Sequence, residues 1–519
     1  MFVVLAFLMH AGLSFAQDPV LTWVEKGDLV NLEEYLQDHD INAGTVEPVT
    51  TLLVHSIMHG NVITTEWLIE RGADVDQFVD GMSPLMYAAG TDDLKTVKAL
   101  IEANADIEVR DPEGSTALFY AATHGNLKIT KYLVRHDADL THKNIRWESA
   151  YDMAVHNSNQ EVATFLRNSY ERNLPDLQDG PYIKWNSKKM IKAFYIVHES
   201  KSQITRKSRS KFKADSDPFL MKGFSGDPRK YILDHRSEVL PYKMVQVDRV
   251  LVIGDIHGGF DSLVVFLQQN GIMNNSFEWT WGDGHLVFVG DIFDRGDQVT
   301  EALWLIYQLE KQAGEKGGAV HLILGNHEIM VLSGNINYVS DKYQLLSSKL
   351  NIDYSMLFGK RTVLGQWLRT KNTIIRINGH LFVHAGLSPV ILESGLGIHE
   401  INENVRYFLN HPDREHYGEV DRDMLMGHNG PFWYRGYMED NHFYKHLPED
   451  DFERVLEHFN AGYIFVGHTN VKQITSLYNN RVFALDVPFY TYGFPIQGLL
   501  LENETVYLLN SSGEKKQFR

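Results

Sequence analysis

Leu286-Val-Phe-Val-Gly-Asp291-Ile-Phe-Asp294-Arg295-Gly-Asp297 is a short apolar run that stops at glycine and releases three carboxylates and an arginine. A continuous apolar run of this length between breakers reads as a buried strand, and the polar groups that follow belong to the loop at its carboxyl end. Four other stretches repeat the plan. Arg249-Val-Leu-Val-Ile leads into Gly254-Asp255-Ile-His257-Gly258, and Val320-His-Leu-Ile-Leu leads into Gly325-Asn326-His327-Glu328. Leu381-Phe-Val leads into His384-Ala-Gly386, and Tyr463-Ile-Phe-Val leads into Gly467-His468. Five strands that end in Asp, Asn and His point to one metal cluster built on neighbouring strand ends.

The chain has 519 residues, too many for a single core, so two or three domains are expected. With 49 basic and 67 acidic residues its formal charge is −18, which argues against nucleic acid as a partner because phosphate backbones are held by basic surfaces. Cysteine is absent, which excludes disulfides and thiolate ligands. Residues 1–16 form an apolar run ending in Ser14-Phe-Ala16, with no Lys or Arg ahead of it. The run is shorter than the roughly 20 residues a membrane span requires and ends in a small-x-small pattern, so it reads as a signal peptide. That places the mature protein in the periplasm or outside the cell. No later stretch is apolar for long enough to span a membrane.

Between residues 19 and 173 one phrase recurs at a step of 33: Thr50-Thr-Leu-Leu-Val-His-Ser, Ser83-Pro-Leu-Met-Tyr-Ala-Ala, Thr116-Ala-Leu-Phe-Tyr-Ala-Ala and Ser149-Ala-Tyr-Asp-Met-Ala-Val. Turns such as Gly60-Asn61 and Gly125-Asn126, a second amphipathic segment and links such as Gly72-Ala-Asp-Val-Asp complete each unit. The period and the Thr-Pro-Leu-like opening resemble the ankyrin repeat, which implies an all-α solenoid that binds a protein partner. Val20 to Asn42 reads as a degenerate first repeat acting as a cap. Residues 174–247 break the periodicity and form a basic connector, with Lys201, Arg206, Lys207, Arg209, Lys211 and Lys213 among serines. A solvated loop or exposed hairpin is the expected form of that basic run, and a docking patch for an acidic partner the alternative. Asp179-Gly180-Pro181 reads as a turn, and Met190 to Val197 as an edge strand.

Residues 248–512 carry the chemistry. Hydrolysis of a phosphomonoester needs a nucleophilic oxygen, neutralised phosphate charge and a proton for the departing alkoxide, and two metal ions about 3.5–4 Å apart supply the first two. Asp255 and His257 can aim at one ion, Asp291 is the natural bridge, and Asn326, His384 and His468 complete the second. Mixed nitrogen and oxygen ligands suit manganese first, with iron or zinc possible, better than calcium.

Gly254-Asp-Ile-His-Gly, Gly290-Asp-Ile-Phe-Asp-Arg-Gly, Gly325-Asn-His-Glu and His384-Ala-Gly resemble the motif set of calcineurin-like metallophosphoesterases of the phosphoprotein phosphatase type. The resemblance implies an α/β domain, a β-sandwich flanked by helices, with its metals at strand ends. It implies His327 as general acid oriented by Asp294, and Arg295 as the phosphate clamp. A histidine held by a carboxylate keeps one tautomer and can donate a proton, and arginine grips phosphate oxygens bidentately. Leu324 before the Asn326 motif and Ala385 after His384 depart from the eukaryotic Ser/Thr phosphatases and are shared with diadenosine tetraphosphate hydrolases and Shewanella-like protein phosphatases. Phe293, Asp297, Glu328 and the run Met330 to Val339 favour the latter group, as does Gly430-Pro-Phe-Trp-Tyr-Arg435-Gly436, where Arg435 would be a second phosphate ligand. Bacterial members of that group favour phosphotyrosine. The expected protein is therefore a metal-dependent phosphatase acting on a phosphoprotein or phosphopeptide. A small-phosphoester or diadenosine polyphosphate hydrolase is the first alternative, and an ankyrin binding protein with a relic phosphatase domain the second. The inserts 340–370 and 394–457 read as helices over the site entrance. His411, His416 and His428 read as surface or supporting histidines, and Asp486 as structural.

Overall fold

The computed structural model describes residues 19–44, 50–146, 148–173, 178–187, 190–200, 203–212, 219–222, 230–233, 237–488, 496–503 and 505–518. The signal-peptide reading of residues 1–16 lies outside them. No described helix is long and apolar enough to cross a membrane. The chain divides into two compact units at Pro175 and Asp176.

The first unit is a stack of helix pairs, from Pro19–Lys26 with Leu29–Tyr35 through to Ala150–His156 with Gln160–Asn173. Three of the four opening phrases are capped helix starts, in which a Ser or Thr side chain accepts from the N–H groups that the first turn leaves unpaired; Thr116 stands at the same place without such a bond. Thr51, Ser83 and Ser149 accept from Val54, Met86 and Asp152. The first cap is therefore Thr51 and not Thr50: the opening interval is 32 residues, and the period of 33 begins only at Ser83. The turn asparagines join neighbouring repeats. Asn61 donates to the Val24 carbonyl at 3.0 Å, Asn126 to that of Ala89 at 2.9 Å, and Asn159 to that of Ala122 at 2.9 Å. One continuous core runs from Val20 to Leu166, so Val20 to Asn42 is packed as a repeat and closes the stack.

In the second unit, β1 (Gln178–Ser187), β2 (Met190–Ser200) and β3 (Gln203–Phe212) form an antiparallel sheet with β2 in the middle, and β4 (Phe219–Lys222) pairs with β5 (Lys230–Leu233). Met190 to Val197 is thus a central strand rather than an edge. The basic run becomes its partner β3, which satisfies the second row of β2 backbone groups. Asp179-Gly180-Pro181 is not a turn but an irregularity inside β1. β1 is anchored to the helix Val299–Glu315, where Trp304 Nε1 donates to the Pro181 carbonyl at 2.9 Å and the Tyr182 hydroxyl lies 3.2 Å from that of Thr300.

Two six-stranded sheets follow. In chain order the strands are β6 (Lys243–Met244), β7 (Arg249–Ile253), β8 (His285–Phe288), β9 (Ala319–Leu322), β10 (Ile374–Ile377) and β11 (His380–Val383). After the small hairpin β12 (His416–Tyr417) and β13 (Val420–Asp421) come β14 (Ile464–Val466), β15 (Thr475–Leu477), β16 (Val482–Ala484), β17 (Gln497–Glu502), β18 (Thr505–Asn510) and β19 (Lys515–Gln517). One sheet has the order β19-β18-β17-β7-β8-β9, the other β15-β16-β14-β11-β10-β6. β7, β8 and β9 run parallel, as do β11, β14 and β16. Val250, Val252, Val287 and Leu499 of the first sheet share a core with Ile375, Phe382, Phe465 and Phe483 of the second. The three phenylalanines stack in sequence with ring centroids 4.9 Å apart at each step. Leu251, Ile253, Leu286 and Phe288, which alternate with that set, are buried as well, so the strands are covered on both faces and read as continuous apolar runs. The architecture is a helical ankyrin array followed by an α/β sandwich domain. The inserts between motifs contain the helices Asp341–Leu350, Val363–Leu368, Ile398–Asn410, Arg422–Met426 and Glu449–His458.

Candidate metal centre

Every ligand candidate sits where the chain leaves a strand: Asp255 and His257 after β7, Asp291 after β8, Asn326 after β9, His384 after β11 and His468 after β14. All six are buried. His257, Asp291, Asp294, Arg295 and His468 have φ of 45°, 53°, 68°, 65° and 64°, the left-handed region that side chains avoid unless their surroundings over-determine it. Much of that determination comes from Glu328. Its carboxylate accepts from the backbone N–H groups of Gly325 at 2.7 Å, Asp291 at 2.9 Å, Ile292 at 2.8 Å and Phe293 at 3.2 Å, tying the turn after β9 to the turn after β8. Gly325 and Gly467 are glycines for space, since a Cβ on them would overlap Asp291 Oδ1 and Asp255 Oδ1.

The side chains converge in two overlapping groups. His384 Nε2 lies 2.8 Å from Asn326 Oδ1 and 3.3 Å from Asp291 Oδ2, and His468 Nδ1 lies 2.9 Å from Asn326 Oδ1. On the other side, His257 Nε2 is 3.7 Å from Asp291 Oδ2 and 4.0 Å from Asp255 Oδ2. Backbone carbonyls set the ring orientations. His384 Nδ1 donates to Val289 at 2.7 Å and His257 Nδ1 to Phe293 at 2.8 Å, so each turns Nε2 toward the carboxylates. Asp291 alone belongs to both groups. His327 stands beside it, with Nδ1 2.6 Å from Asp294 Oδ2 and Nε2 3.8 Å from Asp291 Oδ2.

The family model for calcineurin-like phosphoesterases matches residues 248–472, and models of three ankyrin repeats match 22–111 and 91–176. Shewanella-like protein phosphatase 1 of Plasmodium berghei is 27% identical over 335 residues, covering 63% of this chain and 91% of that protein. The crystal structure of a cold-active protein-tyrosine phosphatase of a psychrophilic Shewanella species is 32% identical with a TM-score of 0.57, covering 66% of this chain and 99% of that one. A symmetrical bis(5'-nucleosyl)-tetraphosphatase of Vibrio cholerae is 30% identical over 138 residues, only 44% of its length. The chain belongs to the calcineurin-like phosphoesterases. It is a hydrolase with an N-terminal ankyrin array, and its family implies divalent metal ions.

The charges of this phosphoesterase's centre fit such ions. Asp255 is pushed well above the ordinary carboxylate range by burial and by the nearby Asp486 and Asp291. Burial opposes the charge of Asp291 too, but His384, His327 and His257 hold it well below that range. Asp486 is raised to about 6, chiefly by burial. Its Oδ2 accepts from Asn470 at 2.7 Å and its Oδ1 is buried with no hydrogen-bond partner. Burial and mutual repulsion oppose ionisation of Asp255 and Asp486 beside the charged Asp291, and bound cations would relieve both effects. Asp486 follows β16 as the ligand candidates follow their strands, and its charge acts on Asp255.

Two arginines flank the centre. Arg295, half-buried, acts electrostatically on Asp255, Asp294 and Asp486. The turn that carries it is held from outside: Lys342 Nζ donates to the Asp297 carbonyl at 2.5 Å and pairs with Asp179 at 2.8 Å. Arg435 Nε donates to His468 Nε2 at 3.0 Å, and Arg435 Nη1 pairs with Glu439 at 3.1 Å. That bond puts the His468 proton on Nδ1, facing Asn326; a cation taken at Nδ1 demands the other tautomer, and Arg435 must then leave His468. Aromatic rings stand on both sides. Tyr338, 42% exposed, lies edge-on to His327 at 5.3 Å, and Trp433 lies edge-on to His468 at 5.7 Å. His411, at the end of the helix Ile398–Asn410, His416, in β12, and His428 are all exposed, and His428 has Trp433, Phe443 and Tyr444 around it. Sequence reasoning gave no weight to the Glu328 clamp, to Asp486 or to Tyr338. For Asp486 the signal was present, an apolar run ending in a carboxylate.

Proposed function

We propose that this protein is an exported, ankyrin-equipped protein phosphatase with a dinuclear centre and a preference for phosphotyrosine. Asp255, His257 and Asp291 would hold one divalent ion and Asp291, Asn326, His384 and His468 the other, with manganese the first choice. The observation that carries this reading is the sharing of Asp291 Oδ2 by His257 and His384 beside the His327–Asp294 pair. When bound, the two ions supply Lewis acidity, neutralising phosphate charge and making water a stronger acid. Arg295 and Arg435 grip the phosphate oxygens and orient the ester. His327, kept in one orientation by Asp294, delivers the proton to the leaving oxygen. The ankyrin array recruits the protein that carries or accompanies the phosphate, and the apolar run Met1 to Ala16 supports export.

The aromatic mouth supports an aryl ester. Tyr338 next to His327 and Trp433 next to His468 offer ring faces and edges to a substrate ring whose oxygen is leaving, and a serine side chain has nothing to set against them. An aromatic pair is worth about 0.5–1.5 kcal/mol, so Tyr338→Ala is expected to lower kcat/KM on a phosphotyrosine peptide by about tenfold or somewhat less, and on the matched phosphoserine peptide hardly at all. Equal losses on both would remove Tyr338 from substrate choice.

The deciding assay follows hydrolysis of matched phosphotyrosine and phosphoserine peptides and of diadenosine tetraphosphate by metal-free protein reloaded with manganese. Faster turnover of the phosphotyrosine peptide is expected. Turnover of the dinucleotide alone would move the protein to nucleotide hydrolysis, and turnover of none would leave an ankyrin binding protein with an idle phosphatase half.

A further inference from the structure

Among the described residues one more place gathers metal-binding side chains, and it lies in the ankyrin array. The helix Leu52–Met58 and its cap residue carry His55 and His59, four positions apart and therefore on one face. The first helix of the preceding repeat, Pro19–Lys26, presents Glu25 to the same spot. His55 Nε2 is 3.2 Å and His59 Nε2 3.5 Å from Glu25 Oε1, with the two ring centroids 4.2 Å apart. All three ligand atoms fall within 4.8 Å of one another. His59 Nδ1 donates to the His55 carbonyl at 3.0 Å, which fixes the ring with Nε2 turned to the carboxylate, as an outer hydrogen bond does for a metal-binding histidine.

We propose that Glu25, His55 and His59 form a zinc site that joins the capping repeat to the repeat after it. Tetrahedral zinc with bonds of about 2.0–2.1 Å places its ligand atoms about 3.3 Å apart, which matches the two separations to the carboxylate oxygen. Two imidazoles and one carboxylate suit zinc or a similar transition ion, whereas calcium and magnesium want oxygen on every side. His59 is exposed and Glu25 half-buried, so water can complete the fourth position and the ion can enter from solvent. The pairing is particular to this repeat. At the matching places the later repeats carry Tyr87 and Thr91, Tyr120 and His124, and Met153 and Asn157, none of which pairs two imidazoles. The site uses no residue of the phosphoesterase centre and does not depend on the substrate assigned to it.

The test is zinc content of the full-length chain after dialysis against buffered sub-micromolar zinc, measured for wild type, His59→Ala and Glu25→Gln. Both variants should hold one zinc fewer per chain than wild type while hydrolysing a small aryl phosphate at the wild-type rate. His59 is 42% exposed at its side chain, so its removal leaves the core intact, and Glu25→Gln keeps the hydrogen-bonding shape while removing the charge. Equal zinc content in wild type and His59→Ala overturns the site. Loss of zinc in His59→Ala but not in Glu25→Gln overturns the role of the carboxylate.

Discussion

Asp291→Asn is expected to lower kcat/KM on every phosphoester by at least about 1,000-fold, or about 4 kcal/mol, and to lower metal content with it. Asp291 is the residue that faces both halves of the centre, with Oδ2 3.7 Å from His257 Nε2 and 3.3 Å from His384 Nε2. Burial works against its charge, and the imidazoles of His384, His327 and His257 more than reverse that effect. In the proposed dinuclear centre, removing the charge would weaken the grip on both ions at once. Asparagine is the informative replacement because it has the same shape and tolerates the φ of 53° at this position. Its Oδ1 can also keep accepting from the His327 N–H, now at 3.0 Å, so the turn stays closed. A circular dichroism spectrum like that of wild type, together with metal analysis and kinetics, checks the prediction. Activity within tenfold of wild type, or full metal content with no activity, would show that this carboxylate does not hold the ions.

That the cluster can be read from the sequence at all is a consequence of strand physics. Runs such as Val250 to Ile253 and Leu286 to Val289 are apolar throughout because both faces are covered, one by the opposite sheet and one from outside. The breaker that follows then marks where the ligand candidates begin. What escaped was anything carried by contact rather than by pattern. Glu328 looks like one more acidic residue in a helix start, and only the fold shows it closing on four backbone N–H groups. β2 is central and not an edge because its second partner is the basic run, whose composition resembles a loop while its backbone completes a sheet. Tyr338 has no periodic partners at all; its place beside His327 is set by the Arg295 N–H, which donates to the Tyr338 carbonyl at 3.0 Å.

His327→Asn is expected to separate substrates by leaving group. Nδ1 of His327 lies 2.6 Å from Asp294 Oδ2, inside a site where Asp294 is almost fully buried. Burial raises the pKa of Asp294, and the hydrogen bond with His327 opposes that rise. The ring is thereby fixed with Nε2 facing the centre, the position from which it can hand a proton to a departing oxygen. General acid catalysis is worth roughly 100- to 10,000-fold. The full loss is expected for phosphoserine peptides, whose alkoxide cannot leave unprotonated. A large loss is expected for phosphotyrosine, whose phenol has a pKa of about 10, and a much smaller one for an aryl phosphate with a strongly acidic phenol. Asp294→Asn should follow the same order with smaller losses, since the ring remains but its tautomer is no longer enforced. One geometric fact offers a rival account: His257, Asp291 and His327 lie close enough together to hold an ion themselves. If His327 were a ligand, His327→Asn would reduce metal content and slow every ester by the same factor. Unchanged metal content with losses graded by leaving group establishes His327 as the proton donor, and a uniform loss with missing metal assigns it to the ions instead.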